Sequence, residues 1–253
     1  MSLRRLWFTI AVACMTFSVR LFAAAPTLGQ HGAANSSGST TTLSPTGLTN
    51  GSAMIVGVAQ VNSDTDQSYT VADTNSNTYT SAILSSNTGG TNSLRKCQIF
   101  YAMNITSTAG ATTITVTSAN GTVQSRSQYV EVLGASTTAP LAQTDSTAES
   151  ADATSHTASA GMTTAADIFV YTIMAGDGTL GTLTETSGFT SLGADFSVSS
   201  AKSQYYSNAT GLTANTLAWG SSTARTAASC AAAFVATASA LTGSLGSLTG
   251  AGR

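Results

Sequence analysis

The chain has 253 residues, of which only 8% are charged, and its formal net charge is −2. So little charge gives no electrostatic basis for binding nucleic acid or an anionic membrane surface. Hydrophobic residues make up 42% of the chain, which excludes the low-hydrophobicity, high-charge composition of disordered proteins. Segments rich in Thr and Gly, with few Lys and Glu, disfavour helix and favour pleated sheet.

The first 25 residues have the pattern of an export signal. Arg4 and Arg5 precede an apolar run over residues 6–19, and three alanines at positions 23–25 follow it. The apolar run is shorter than the roughly 20 residues that a membrane-spanning helix needs. We therefore expect residues 1–25 to be removed on export, no membrane span, and a mature protein that is secreted or held at the cell surface.

Three segments of small polar residues flank and divide the rest of the chain. Residues 26–44 and the tail 238–253 show no hydrophobic period and are predicted to be flexible linkers. Residues 140–160 have the same composition and are predicted to join two halves of one domain. The resulting boundaries are 45–237 for the domain, 45–139 for its first half and 161–237 for its second half.

The two halves repeat each other in sequence. The strand-like run Ser52–Gln60 is matched by Ala166–Ala175, and the closing run Ser127–Leu133 is matched by Ala227–Val235. Two further segments of the first half correspond to two segments of the second half, in the same order. Short runs separated by turn signals are typical of β-sandwiches. Four such runs in each half predict an all-β, two-sheet antiparallel β-sandwich, jelly-roll-like, built from two similar four-strand halves.

The alanine-rich segment Ala227–Ala236 is ambiguous on propensity alone, because alanine favours helix. Its partner in the repeat is strand-like, and the segment ends in Phe234 and Val235, so we predict a strand.

The order of these segments resembles a group of secreted bacterial jelly-roll modules. In that group a strand like SAMIVGVAQ leads to a turn like DTNSNTYT, and then to strands like IFYAMNI and YVEVLG. A second half that begins like TTAADIFVYTI follows and closes on an alanine-rich strand. The resemblance covers roughly Leu43 to Thr237. It implies a sandwich fold, an extracellular bacterial setting and no known catalytic residues, in modules that accompany adhesive or carbohydrate-related domains.

The sequence does not assemble a catalytic site. The two histidines, His31 and His156, lie in segments predicted to be linkers, where a base is not held rigidly against a nucleophile. A structural zinc site would need clustered Cys and His. Glu131 is the one acidic residue at the centre of a predicted strand, and a glycan hydrolase would need a second carboxylate beside it. We predict that the protein is not an enzyme, with a hydrolase that uses Glu131 as the least favoured alternative.

One loop has part of a calcium-binding pattern. Asp73, Asn75 and Asn77 alternate as oxygen ligands do in such loops, but the glycine and the closing glutamate of the pattern are missing. The favoured alternative is a polar turn between two strands, because Asp and Asn accept the backbone angles of turns. We therefore predict no cofactor, with calcium at these three residues as the alternative.

Four aromatic residues are the candidates for binding a ligand, since flat rings stack on sugars: Trp219, Tyr205, Tyr206 and Tyr101. The alternative is that these rings fill the space between two sheets, as most aromatic residues of sandwiches do. Tyr205 and Tyr206 are adjacent, so on a strand they point to opposite faces, and one of them is predicted to face outward.

Cys97 and Cys230 are the two cysteines that follow the predicted leader. Export permits a disulfide between them, which would join the two halves and close a loop of over a hundred residues. The alternative is a pair of buried thiols, because free cysteine packs well in cores. The choice depends on whether the two Cα atoms lie within about 7 Å.

Together these features predict a secreted, non-catalytic structural or adhesion module of an extracellular surface or matrix. The alternative is a carbohydrate-binding module. The expected partners are extracellular glycans or other surface proteins.

Overall fold

The computed structural model describes most of the chain that follows the predicted leader. The described residues are 24–63, 67–87, 94–108, 110–119, 121–149, 151–176, 178, 180–192, 196 and 200–237. Sixteen β-strands and no helix occur in these ranges. Among the same residues, no helix is long and apolar enough to cross a membrane. The predicted tail and all but the last two residues of the predicted leader lie outside the described residues.

The first half contains eight strands in two antiparallel sheets. The strands are β1 (Thr27–Ser36), β2 (Thr40–Leu43), β3 (Ala53–Ser63), β4 (Tyr69–Asp73), β5 (Thr80–Asn87), β6 (Leu94–Ala102), β7 (Ile114–Ser118) and β8 (Gln124–Leu133). A five-stranded sheet has the order β1-β8-β3-β6-β5, and a three-stranded sheet has the order β2-β7-β4.

The second half contains eight more strands. They are β9 (Leu141–Ala148), β10 (Ala153–Met162), β11 (Ile168–Gly176), β12 (Leu183–Thr184), β13 (Thr190–Ser191), β14 (Ala201–Asn208), β15 (Asn215–Arg225) and β16 (Ala227–Val235). Their sheets have the orders β9-β16-β11-β14-β13 and β10-β15-β12, and every pairing is antiparallel.

The second half repeats the strand order of the first, strand for strand, from β1 and β9 to β8 and β16. The predictions of an all-β antiparallel sandwich and of an internal repeat are therefore confirmed. The number of strands differs, because each half has eight strands in two sheets, where four were predicted. Each half is thus a jelly-roll-like sandwich in its own right.

Four β layers are stacked in the molecule. The central apolar cluster combines residues of β3, β6 and β8 with residues of β11 and β16, so the two five-stranded sheets pack face to face. A second cluster lies between the five-stranded and three-stranded sheets of the first half. Two smaller clusters lie between the corresponding sheets of the second half. The layers therefore contain three, five, five and three strands.

This stacking explains why the inner strands are nearly continuous apolar runs. In β3, Ile55 and Ala59 belong to the central cluster, whereas Met54 and Val56 belong to the cluster of the first half. Successive side chains of a strand point to opposite faces, and here both faces are covered. The alanine-rich β16 is buried along almost its whole length for the same reason, so the prediction of a strand there is confirmed.

Two of the three segments that composition predicted to be linkers form strands, and for these two that interpretation is wrong. Residues 26–44 contain β1 and β2, while β9 and most of β10 lie within residues 140–160. All four strands are at the edges of their sheets. The residues of β1 and β9 are mostly half-buried, so backbone pairing to one neighbour holds these strands with few apolar contacts, such as those of Leu28 and Leu141. The strands of the halves accordingly span residues 27–133 and 141–235.

Candidate functional site

A covalent bond joins the two halves at the centre of the stack. Cys97 of β6 and Cys230 of β16 form a disulfide with their Cα atoms 5.9 Å apart, and both residues are fully buried. The bond spans a sequence separation of 133 residues. It connects the two five-stranded sheets in the middle of the central apolar cluster.

A tyrosine fills the space between the same two sheets. Tyr171 of β11 lies against Gly57 of β3, where the ring occupies the volume that a side chain at Gly57 would need. The phenol of Tyr171 donates a hydrogen bond of 2.9 Å to Oε1 of Gln128 in β8. Gln128 in turn donates from Nε2 to the carbonyl of Leu192, at 3.2 Å. The small Gly57 of the first half therefore leaves room for the large side chain of Tyr171 from the second half.

Glu131 of β8 is a buried carboxylate whose oxygens are used by the fold. Oε1 accepts hydrogen bonds from the backbone N–H of Thr49 at 2.6 Å and the hydroxyl of Ser52 at 3.1 Å. Oε2 accepts from the backbone N–H of Gln30 at 3.2 Å. The side chain therefore ties β8 to β1 and to the loop before β3.

We expect Glu131→Gln to lower the free energy of unfolding by about 2 kcal/mol or more. The amide of Gln keeps one acceptor oxygen, but its NH₂ group would face N–H or O–H donors that now bind the second carboxylate oxygen. Hydrogen bonds to charged groups contribute about 1.5–3 kcal/mol. Urea unfolding measures the change. Asp152→Asn, at an exposed position, is the control and should stay within about 0.5 kcal/mol of wild type. Equal stability of the two variants would contradict the structural role.

The calcium-like loop is a closed polar turn. Oδ1 of Asp73 accepts from the backbone N–H groups of Asn75 and Asn77, each at 3.0 Å. Oδ2 accepts from Nδ2 of Asn77 at 2.8 Å and from the phenol of Tyr79 at 3.0 Å. The side-chain oxygens of Asn75 and Asn77 accept from the Thr108 hydroxyl and the Thr106 N–H.

Each side-chain oxygen of these three residues therefore accepts a hydrogen bond from the chain itself, which is the arrangement of a polar turn. Within the ranges that the structure describes, no group of three or more His, Cys, Asp or Glu side chains is placed to hold a metal ion.

Tyr79 gives this turn a pH dependence. Burial, together with the adjacent Asp73 carboxylate, raises the pKa of Tyr79 above its ordinary value near 10. The folded protein then holds the phenol proton at pH values where the unfolded chain has lost it. The contribution of the Tyr79 phenol to the free energy of unfolding is therefore complete below about pH 10 and is lost as the pH rises further.

We expect the free energy of unfolding to fall by up to about 1.4 kcal/mol per pH unit above about pH 10 because of Tyr79. Tyr79→Phe should remove that part of the slope, whereas Tyr206→Phe should retain it. Urea unfolding of the three proteins between about pH 8 and pH 11 tests this. Identical slopes for wild type and Tyr79→Phe would refute the link.

Trp219 lies in the core and does not provide a sugar-binding surface. Alternate residues of β15 face inward, and Trp219 is fully buried beside Met174 and Leu180. The prediction of a ligand-binding role for this residue is therefore wrong. The physical reason is that β15 is the central strand of an outer sheet whose inner face packs on the five-stranded sheet.

The three tyrosines with predicted binding roles are half-buried. Tyr205 stacks on Phe169, with ring centroids 5.5 Å apart, and Tyr101 meets Phe234 edge to face at 5.8 Å. Both complete the border of the central cluster. Tyr206 points to the opposite face of β14 from Tyr205, as predicted, but that face is also covered by a sheet.

Tyr206 stacks on Phe189 at 5.1 Å, at the border of the second-half cluster. Neither Tyr205 nor Tyr206 is fully exposed, so the prediction of one outward tyrosine is wrong.

The histidines lie on strands, contrary to the prediction that both are in linkers. His31 is an exposed residue of β1. His156 of β10 is fully buried, and its Nδ1 lies 2.5 Å from Oε2 of Glu149. Glu149 also accepts the backbone N–H of Thr157 at 3.3 Å. The one sequence signal for this pair is an acidic residue and a histidine on either side of a short turn.

Comparisons with protein-family models, with characterised proteins and with solved structures found no match to this chain.

Proposed function

We propose that this protein is a secreted, non-catalytic structural or adhesion module of an extracellular surface or matrix. The observation that carries the proposal is the buried Cys97–Cys230 disulfide. Disulfides of this kind form and persist in oxidising, extracytoplasmic compartments. The predicted export signal in residues 1–25 agrees with that setting.

The disulfide suits a module that transmits force. A force applied at β1 and β16 cannot stretch the chain between Cys97 and Cys230, because the disulfide holds these two residues together. Those 133 residues would otherwise span about 450 Å when fully extended. The bond therefore limits how far the protein extends under force, which favours a load-bearing role.

The reactive side chains support the proposal because the fold uses them internally. Glu131 binds three donors of neighbouring segments, and Asp73 closes a turn. His156 is buried and paired with Glu149. These residues therefore stabilise strands. We propose that the protein contacts its partners through the hydroxyl and amide groups of its surface side chains.

A carbohydrate-binding role is the second candidate. The observation that favours it is the stacked pair Phe189 and Tyr206, which is half-buried and lies beside the short edge strand β13. Partly exposed rings at a sheet edge are suited to stacking on a sugar ring.

Two measurements on the full chain test these proposals. Expressed in a bacterium with its own leader, the protein should be recovered outside the cytoplasm, without residues 1–25 and with no free thiol before reduction. Recovery of the intact chain in the cytoplasm with free thiols would contradict the secreted role. A glycan array on the exported protein then separates the two candidates.

We expect no glycan signal from a purely structural module. A signal that Tyr206→Ala abolishes and Leu84→Ala retains would select the carbohydrate-binding role. Leu84 is the matched control because it is the exposed large hydrophobic side chain of the described residues and lies on β5 of the other half.

A further inference from the structure

Six buried polar side-chain atoms in the second half lack a hydrogen-bond partner among the described residues. Three of them lie on facing strands: Nε2 of His156, Nε1 of Trp219 and Oγ1 of Thr172. All three side chains are fully buried. Buried polar groups of native proteins are nearly always hydrogen-bonded, to the protein or to ordered water, so a group of three such atoms calls for a partner.

The three atoms face the same interior layer. His156 of β10 and Trp219 of β15 are directly paired across the antiparallel ladder, so their side chains share one face with Cβ atoms about 5 Å apart. That face points to the five-stranded sheet, because Trp219 packs on Met174 of β11. Thr172 lies two residues before Met174 on the same strand, and its side chain therefore points to the same layer.

This position is the boundary between two apolar clusters. The interior of the first half is one continuous cluster, whereas that of the second half is divided in two. Along β11, Val170 belongs to one part and Met174 to the other, with Thr172 between them. Ala231 of β16, which is paired with Thr172, and Ala158 of β10, two residues after His156, both carry small side chains.

The hydrogen-bonding roles of the three atoms are complementary to one small molecule. In a neutral ring whose Nδ1–H donates to the Glu149 carboxylate, Nε2 of His156 is an acceptor. The indole nitrogen of Trp219 is only a donor, and the Thr172 hydroxyl can accept. An occupant that donates twice and accepts once would satisfy all three atoms.

We propose that one internal water molecule binds at this boundary. It donates to Nε2 of His156 and to Oγ1 of Thr172, and it accepts from the indole N–H of Trp219. Three hydrogen bonds are typical of a buried water. The water links β10 and β15 of the outer sheet to β11 of the five-stranded sheet.

Solution NMR of the full chain tests the proposal. The indole N–H of Trp219 should show a dipolar contact with a long-lived water, and Nε2 of His156 should have the nitrogen shift of an unprotonated ring atom. Thr172→Val, which keeps the shape but removes the hydroxyl, should lower the number of long-lived waters seen by ¹⁷O relaxation by one. Thr172→Ser, which keeps a hydroxyl, is the matched control and should retain the wild-type number.

A wild-type Trp219 N–H without a water contact would overturn the proposal, and so would a Thr172→Val protein with the wild-type number of long-lived waters. If Thr172→Val does not fold, Trp219→Phe serves as the second variant, with the same expected loss of one water. A protonated Nε2 would also overturn it, since the water could then not donate there.

Discussion

The double variant Cys97→Ala, Cys230→Ala is expected to be less stable than the wild type by about 5 kcal/mol. A cross-link over 133 residues restricts the unfolded chain, and the chain-entropy model gives about that value for a loop of this length. Folded domains are stable by only about 5–15 kcal/mol, so the loss is a large share of the total. The mature double variant should therefore unfold at a much lower urea concentration.

Reduction of the wild type is the internal control for this prediction. The reduced protein keeps both cysteine side chains, so its loss of stability reports the cross-link, whereas the double variant also loses the packing of two buried sulfur atoms. We expect most of the effect to appear on reduction alone. A reduced protein within about 1 kcal/mol of the oxidised one, or two free thiols in the unreduced mature protein, would refute the role of the bond.

The inner strands of this fold were predictable from sequence for a physical reason. Runs such as Ser52–Gln60 are apolar on both faces because the five-stranded sheets are covered on both faces. The edge strands β1 and β9 have no such run, since pairing to one neighbour needs backbone groups and not apolar side chains. A prediction of strands from the pattern of apolar residues therefore finds the inner strands of each sheet and misses the edge strands.

The missing edge strands also explain the error in the number of layers. Each half reaches eight strands only when its edge strands are included, whereas the sequence pattern predicts four strands in each half and therefore a single sandwich. The repeat itself was visible because the corresponding inner strands retain similar patterns. The order of strands shows that each half forms its own two sheets, which share no strand with the other half.

The contacts at the centre could not be predicted, because they depend on which strands face each other across sheets. Nothing local in the sequence relates Gly57 to Tyr171, which are more than a hundred residues apart. The buried pair of His156 and Glu149 was missed for a related reason, since both residues lie in a segment whose composition is that of a linker. The sequence shows which residues could take part in chemistry, whereas the contacts of residues such as Glu131 and His156 depend on the packing.

The contact of Gly57 with Tyr171 leads to the second large expected effect. We expect Gly57→Ala to lower the free energy of unfolding by about 2–3 kcal/mol, because overpacking of a close-packed core costs that order. The added Cβ would overlap the phenol oxygen of Tyr171 and lie 2.9 Å from the Cε1 atom of the same ring. Tyr171 is fully buried between two sheets, so its ring cannot move aside without separating them.

Gly161→Ala is the matched control, because a Cβ added at this strand glycine would meet nothing within 4 Å. Its effect should stay within about 0.5 kcal/mol, or be slightly stabilising through the unfolded state. Combining Gly57→Ala with Tyr171→Phe removes the overlapping oxygen, so the double variant should lose less stability than the sum of the single variants. The coupling stays partial, since the ring carbon and Ile173 remain close to the added methyl group. Strict additivity, or a Gly57→Ala protein as stable as Gly161→Ala, would show that the two halves do not pack through this contact.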